Sequence, residues 1–279
     1  MRLPLIKILR QSVQGILRQF GLTLVRLSPG KEPAFNRGSM RGAMQALAQQ
    51  GIPICSIVDI GASDGQWAEM AMAFFPQANY LLIEAQAVHQ EKLDMFVKTH
   101  TNAQYCLAAA GDKAGRIYFD AGDPFGGQAS YEPYAHNNIE VAVTTVDIEV
   151  AQRALLGPYL IKLDTHGFEV PILTGAQEAL KNTQAIVMEC YVQHLTQTSL
   201  TFFQMCAHLD ALGFRCMDAV DLEWRPFDNT LWQMDLVFIR KDRVEFTYRD
   251  YVWNRAKKNW MQYPFKLRYN FNLIKSNTL

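Results

Sequence analysis

The chain has little that would staple it or hold a metal. Its five cysteines, Cys55, Cys106, Cys190, Cys206 and Cys216, are odd in number and contain no C-x-x-C pair. That excludes a disulfide framework and a thiolate zinc site, and reads as buried thiols in a reducing compartment. His89, His100, His136, His166, His194 and His208 are dispersed, with no H-x-H or H-x-x-x-H among them, so no metal site is expected. No apolar run is long and uninterrupted enough to span a bilayer, and no secretory signal is recognisable. Internal repeats and low-complexity tracts are absent. So is the G-x-G-x-x-G fingerprint of dinucleotide sites. The strand ends carry no N-P-P-Y-type motif and net charge is zero, which argues against nucleic acid as the substrate.

What is present is a large apolar fraction, 49% of 279 residues, enough for a substantial core in one large α/β domain or two small ones. Charge is balanced in sum but not in place. Arg2, Lys7, Arg10, Arg18, Arg26 and Lys31 precede the first acidic residue, Glu32, and from Arg240 onward ten basic residues face only Asp242, Glu245 and Asp250. Basic ends on an acidic body suit either solvated tails or contact with an anionic lipid surface or glycan. Leu3, Ile6, Leu9, Val13, Ile16, Leu17 and Phe20 recur at close to helical spacing among basic residues, as in an amphipathic helix that packs on the domain or touches a membrane surface. A linker rich in Pro and Gly follows from Ser28 to Gly38. The expected division is a basic helix and linker over 1–38, a central domain over 39–240 and a basic, aromatic extension over 241–279. The expected location is cytoplasmic, with peripheral membrane contact left open.

The centre of the chain is Ile57-Val58-Asp59-Ile60-Gly61-Ala62-Ser63-Asp64-Gly65. Its apolar, β-branched start reads as a buried strand. The glycines allow a sharp turn and close approach to a ligand. Asp64 is placed to cap a helix from about Gly65 to Phe75, stopped by Pro76. Outward N–H groups at such a turn suit a cofactor phosphate or carboxylate. A second run, Tyr80 to Ile83, ends in Glu84, about 20 residues on, where α/β nucleotide folds hold ribose hydroxyls. The glycine spacing suits a nucleoside without a pyrophosphate. The pattern Asp59-x-Gly61-Ala62-x-x-Gly65 followed by the strand-terminal Glu84 resembles the S-adenosyl-L-methionine (SAM) site of class I methyltransferases, which implies SAM ahead of NAD.

Further along, helices are expected over Ser39–Gln50, Val88–His100, Phe168–Leu180 and Leu200–Leu212. Strands are expected over Tyr105–Ala110, Arg116–Asp120, Ile139–Val146, Tyr159–Leu163, Ala185–Met188, Phe214–Met217 and Met234–Ile239. Asp123–Asn138 is expected to be a loop, with Asp147 capping a short helix. Alternating strands and helices before a closing hairpin describe an α/β fold, a mostly parallel sheet with helices on both faces and one antiparallel C-terminal strand. Four carboxylates, Asp59, Glu84, Asp164 and Glu189, finish or nearly finish successive strands, where open α/β sheets bind ligands. His166 follows two residues after Asp164.

At these residues the chain resembles the FkbM family of SAM-dependent methyltransferases, with the class I methyltransferase (Rossmann-like) fold. The motifs are Val58-Asp59-Ile60-Gly61-Ala62-x-x-Gly65, Glu84-Ala85, Ala109-Ala110-Gly111-Asp112-x-x-Gly115, Thr144-Thr145-Val146-Asp147, Ile161 to Glu169, Leu173-x-Gly175-Ala176 and Val187-Met188-Glu189. The resemblance implies SAM as donor and methyl transfer to oxygen, often of a sugar. It implies donor contacts at Asp59, Gly61, Ala62, Ser63, Asp64, Gly65, Glu84, Ala85, Ala110, Asp112 and Asp164. Asp164, His166 and Glu189 are the catalytic candidates, with either Asp164 or His166 as base. The family usually has Glu, or sometimes Gln, where this chain has His166, so no role carries over to that position from the resemblance. The expected acceptor is a hydroxyl of a sugar, glycolipid or related metabolite, in the setting of polysaccharide biosynthesis. The competing reading is a non-catalytic glycan- or lipid-binding module, motivated by His166 and by Tyr251, Trp253, Arg255, Lys257, Lys258, Trp260 and Tyr263 near the C-terminus.

Overall fold

A computed structural model describes residues 36–247. The expected N-terminal helix, most of the linker and the aromatic-basic C-terminal segment lie outside these residues. The chain divides into two compact units, Met1–Lys241 and Asp242–Leu279. In the described part of the second, a 3₁₀ turn spans Val244–Phe246 and Arg243 ion-pairs with Glu245 at 2.7 Å. Among the described residues no helix is long and apolar enough to cross a membrane.

The first unit is built on a seven-stranded sheet with spatial order β10-β11-β9-β8-β1-β2-β3. Its central strands are β1 (Ser56–Ile60), β2 (Asn79–Glu84), β8 (Tyr159–Leu163) and β9 (Thr183–Tyr191). β1 and β8 are buried at every position, as a parallel strand covered on both faces must be. β3 (Ala103–Leu107) closes one edge, and β10 (Phe214–Trp224) the other. β11 (Leu231–Arg240) runs antiparallel to both β9 and β10, the one reversed strand. The closing pair is longer than its apolar cores, because the ladder continues through a half-exposed hairpin.

Helices α1 (Met40–Gln49), α2 (Gln66–Met72) and α3 (Gln90–Thr99) lie in the first half of the chain. α1 starts as expected, with Ser39 Oγ accepting from Gly42 N. The third expected strand is divided: β3 belongs to the main sheet, and after Ala108 the two-residue β4 (Ala109–Ala110) joins a second sheet. That four-stranded sheet, ordered β4-β7-β5-β6, also contains β5 (Gly115–Asp120), β6 (Gln128–Ser130) and β7 (Asn138–Thr144). β6 therefore falls within the stretch expected to be loop.

The second half contributes α4 (Val146–Gln152), α5 (Glu169–Thr174), α6 (Gln177–Lys181) and α7 (Phe202–Ala211). The helix expected over Phe168–Leu180 is two helices, broken where Gly175 meets the second sheet. A Cβ there would lie 2.0 Å from the Gly111 carbonyl oxygen. Thr145, not Asp147, caps α4, its Oγ1 accepting from Ile148 N at 3.1 Å. Asp147 caps α6 instead, accepting from Glu178 N and Ala179 N at 3.0 and 2.8 Å. One core joins Val58, Ile60, Ile161, Leu163, Ile186 and Met188 of the main sheet to Ile117, Val141 and Val143 of the second. Each such side chain contributes about 1.5–3 kcal/mol on full burial.

All five cysteines are free thiols, but only Cys190 is buried, and Cys55 is exposed. The expectation of buried thiols throughout is thus corrected. Cys55 immediately precedes β1 and escapes its burial.

Candidate active site

The carboxyl ends of β1, β2, β8 and β9 surround a cavity of about 380 Å³, within the roughly 300–1,000 Å³ of small-molecule sites. It begins at the turn after β1. Gly61, Ser63 and Gly65 all take positive φ, at 71°, 51° and 86°. Gly61 has no alternative, since a Cβ would meet the main-chain oxygen of Asp164 at 1.9 Å. Gly65 packs on Phe96 and does not line the cavity.

The expectation of outward-pointing N–H groups at this turn is corrected by its hydrogen bonds. Gly61 N and Ala62 N both donate to the Ile83 carbonyl, at 2.9 and 3.2 Å. Ser63 N donates to Glu84 Oε2 at 2.7 Å. Asp64 is not the helix cap: α2 starts after Gly65 with no side-chain cap bond, while Asp64 pairs with Lys92 at 2.8 Å and accepts from Gln66 Nε2. Asp64 is thus shared between the Lys92 ammonium and the Gln66 side chain beside the helix start.

Glu84, buried at the end of β2, accepts from Ser63 N and, through Oε1, from Gln86 N at 2.7 Å. It fastens two turns to each other and still lines the cavity with Ala85 and Gln86. Each carboxylate oxygen retains a lone pair for a ligand. Ala110 lines the opposite wall. Asp112 does not line it and accepts from the Tyr131 hydroxyl at 2.8 Å.

Asp59 is fully buried and lies outside the cavity lining. The parallel register puts it beside Lys162 of β8, whose Nζ is 3.2 Å from Asp59 Oδ1 and 3.0 Å from Asp164 Oδ2. Burial pushes the Asp59 carboxyl up to about 6 against the pull of Lys162. Burial opposes charge on Lys162 too, but the two carboxylates outweigh it and its pKa is raised.

Asp164 faces the cavity, 36% exposed at its side chain. Burial would raise its pKa, but the charges of Lys162 and His166 hold it below the ordinary value. His166, at φ 51°, bonds through Nδ1 to the Tyr191 hydroxyl at 2.7 Å and pairs with Glu189 Oε2 at 3.1 Å. Its Nε2 contacts the Phe125 carbonyl at 3.1 Å and lies 3.9 Å from Asp164 Oδ1. Burial works against the imidazolium, yet Glu189 and Asp164 prevail and push its pKa up to about 9. Glu189 also accepts from the Tyr191 hydroxyl and from Gln233 Nε2.

Asp164, His166 and Glu189 bring ligand-type atoms within 4.8 Å of one another. Histidine spacing along the chain could not reveal this grouping. Here the imidazole and Glu189 are engaged with each other, Tyr191, Gln233 and Phe125, as a hydrogen-bonded cluster.

The roof comes from residues sequence reasoning left unassigned. Gln86 Nε2 donates to the carbonyls of Asp123 and Pro124 at 3.0 and 2.9 Å. His89 Nε2 lies 2.8 Å from the Pro124 carbonyl, and the Phe125 ring sits 5.5 Å from that of His89. Phe119 and Ala129 of the second sheet complete this wall. Of the sequence candidates, the cavity gathers Gly61, Ser63, Glu84, Ala85, Ala110, Asp164, His166 and Glu189, and leaves out Asp59, Ala62, Asp64, Gly65 and Asp112. Lys162, Tyr191, Gln233 and Gln86 were missed. Only Lys162 had a signal, a cation inside an apolar strand run.

The solved structures similar to this chain include a precorrin-6y C5,15-methyltransferase from Geobacter metallireducens (TM-score 0.38, 10% identity, 75% of this chain and 92% of that one). Others are 1,6-didemethyltoxoflavin-N1-methyltransferase from Burkholderia thailandensis (0.41, 10%, 84% and 88%) and the Methanococcus jannaschii fibrillarin pre-rRNA processing protein (0.43, 14%, 78% and 87%). At these scores the likenesses carry no weight for function. No curated protein matches the chain significantly. The family model for the methyltransferase FkbM domain matches residues 59–216, more than half of the sequence and every strand that lines the cavity except β11. The chain belongs to the FkbM methyltransferase family.

Proposed function

We propose that the chain is a SAM-dependent O-methyltransferase acting on a hydroxyl of a sugar, glycolipid or related polyhydroxylated metabolite. The observation that carries this reading is the convergence of Gly61, Glu84 and Asp164 on one cavity. The residues fit the donor. A glycine whose Cβ would strike backbone keeps the first turn flat against the cavity floor. A strand-terminal carboxylate with spare acceptor capacity suits ribose hydroxyls. When bound, SAM supplies a methyl group on a sulfonium, which departs without needing a covalent enzyme intermediate.

The chain's own task is to align an acceptor oxygen and take its proton. Asp164 suits both parts. It is ionised at neutral pH, lines the cavity, and can accept the acceptor's O–H hydrogen bond. The lowered pKa makes it a weak base, matched to a proton that becomes acidic only as the oxygen forms its new bond. His166 is charged at neutral pH and cannot take that proton. It holds Asp164 and Glu189 together and offers donors instead. Tyr191, Glu189 and Gln233 add hydrogen-bonding groups to the same wall, which favours a polyhydroxylated acceptor.

The test is transfer of labelled methyl from SAM to a panel of monosaccharides, glycolipids and oligosaccharides, beside calorimetric titration with S-adenosylhomocysteine. Transfer to a hydroxyl acceptor, lost in Asp164→Asn while product binding persists, supports the reading. Absence of S-adenosylhomocysteine binding removes it.

A further inference from the structure

Lys162 lies within the Ile161 to Glu169 motif, which implies no role for it, yet it is the one buried Lys or Arg among the described residues, 5% exposed in the middle of β8. Its Nζ is held by Asp59 Oδ1 at 3.2 Å, Asp164 Oδ2 at 3.0 Å and the Gly61 carbonyl at 3.4 Å, and stands 5.6 Å from the centre of the Trp67 ring. A buried ammonium is costly unless paired, and here its partners come from the strand beneath the cavity and from the cavity wall. We infer that Lys162 is a positioning residue: anchored from below by Asp59, it fixes the Asp164 carboxylate by one oxygen and keeps it ionised, leaving the other for the acceptor.

The geometry makes the lysine a fixed strut. Asp59 Oδ1 and Oδ2 have no hydrogen-bond partner of good geometry, so the ion pair with Lys162 is what compensates the buried carboxyl. The Gly61 carbonyl, at 3.4 Å, is only a weak third contact, and the first turn is held separately by Gly61 N and Ala62 N on the Ile83 carbonyl. The charged groups around Asp164 are Lys162 on its own strand, His166 after it, Asp59 on β1, Glu189 on β9 and Asp235 on β11. Lys162 is in direct ionic contact with Asp164, and His166, the other cation, stands farther off at 3.9 Å. Removing Lys162 leaves Asp164 among carboxylates, with one weaker counter-charge.

The inference rests on the role given to Asp164 above, and its test separates the two. The full chain is labelled with ¹³C-aspartate, the Asp164 carboxyl signal is assigned with Asp164→Asn, and its titration is followed in wild type, Lys162→Met, Lys162→Arg and the double variant Asp59→Asn/Lys162→Met. The double variant removes the anchor's charge with the lysine, so that Asp59 is not left as a buried, unpaired carboxylate, and its fold is checked by circular dichroism. The expected result is an Asp164 midpoint raised by about one pH unit or more in both Met variants, a tenfold change in ionisation, and largely restored in Lys162→Arg. Methyl transfer should fall roughly 10- to 100-fold in kcat, with the acid limb of the pH profile moved upward and S-adenosylhomocysteine affinity changed less than about threefold. An unmoved midpoint in the folded double variant overturns the inference, as does a loss of product affinity as large as the loss in kcat. A midpoint raised in the Met variants, with no methyl transfer by the wild-type chain, would uphold the strut and sink the proposed reaction.

Discussion

Gly61 and Asp164 meet backbone to backbone: a Cβ on the glycine would lie 1.9 Å from the aspartate's main-chain oxygen, and Asp164 N in turn donates to Ile60 O at 3.0 Å. The turn after β1 and the end of β8 are therefore one structural joint, on which the cavity floor depends.

Gly61→Ala should break that joint. Positive φ and the steric clash act together, so the expected cost is about 2 kcal/mol or more of folding stability. S-adenosylhomocysteine affinity should fall by at least about tenfold. Thermal melting and calorimetric titration measure both. A variant with native stability and affinity would show that the joint is dispensable.

Glu84→Ala leaves Ser63 N and Gln86 N without their acceptor. Stability should drop by about 1–3 kcal/mol, and donor affinity by roughly tenfold. Glu84→Gln retains one acceptor oxygen and should fall between the two. Denaturant titration and product-binding measurements order the three proteins. Wild-type affinity in Glu84→Ala would remove the carboxylate from the donor site.

His166 links charge to folding. Its pKa in the folded chain, about 9, lies above the unfolded value of 6.5. The stabilisation is thus fully present below pH 6.5 and is lost as pH rises through 9, on the order of 2 kcal/mol. Wild-type stability measured in denaturant should decline across that window. His166→Gln should be less stable at pH 6 and nearly flat between pH 6.5 and 9. Parallel curves for the two proteins would contradict a charged imidazole.

Gln86→Ala removes two hydrogen bonds from the Asp123–Pro124 strap. Amide exchange in residues 121–127 should quicken by about tenfold, while β1 and β8 stay protected. Unchanged exchange in the strap would mean that His89 and His166 hold it alone.

The sheet was legible because its strands are continuous apolar runs: Tyr159–Leu163 is found where the sequence puts it. So was the gathering of Glu84, Asp164, His166 and Glu189, since carboxyl ends of adjacent parallel strands converge by topology. Local reading failed where a distant group outbid a neighbour. Lys92 draws off Asp64, and Glu178 N and Ala179 N draw Asp147 to another helix. The pairing of Asp59 with Lys162 could not be read from the motif, because it depends on the register of two strands about a hundred residues apart in sequence. The roof could not be read at all, because Gln86, His89 and the carbonyls of residues 123–125 meet only through tertiary contact.

Ala108 alone separates β3, an edge strand of the main sheet, from β4, the first strand of the second. The four-stranded layer thus begins within one residue of the main sheet, and it supplies Ala109, Ala110, Phe119 and Ala129 to the chamber without supplying Gly61 or Glu84. Substitutions at Phe119 or Ala129 can therefore reshape the chamber while the first turn and the end of β2 keep their places.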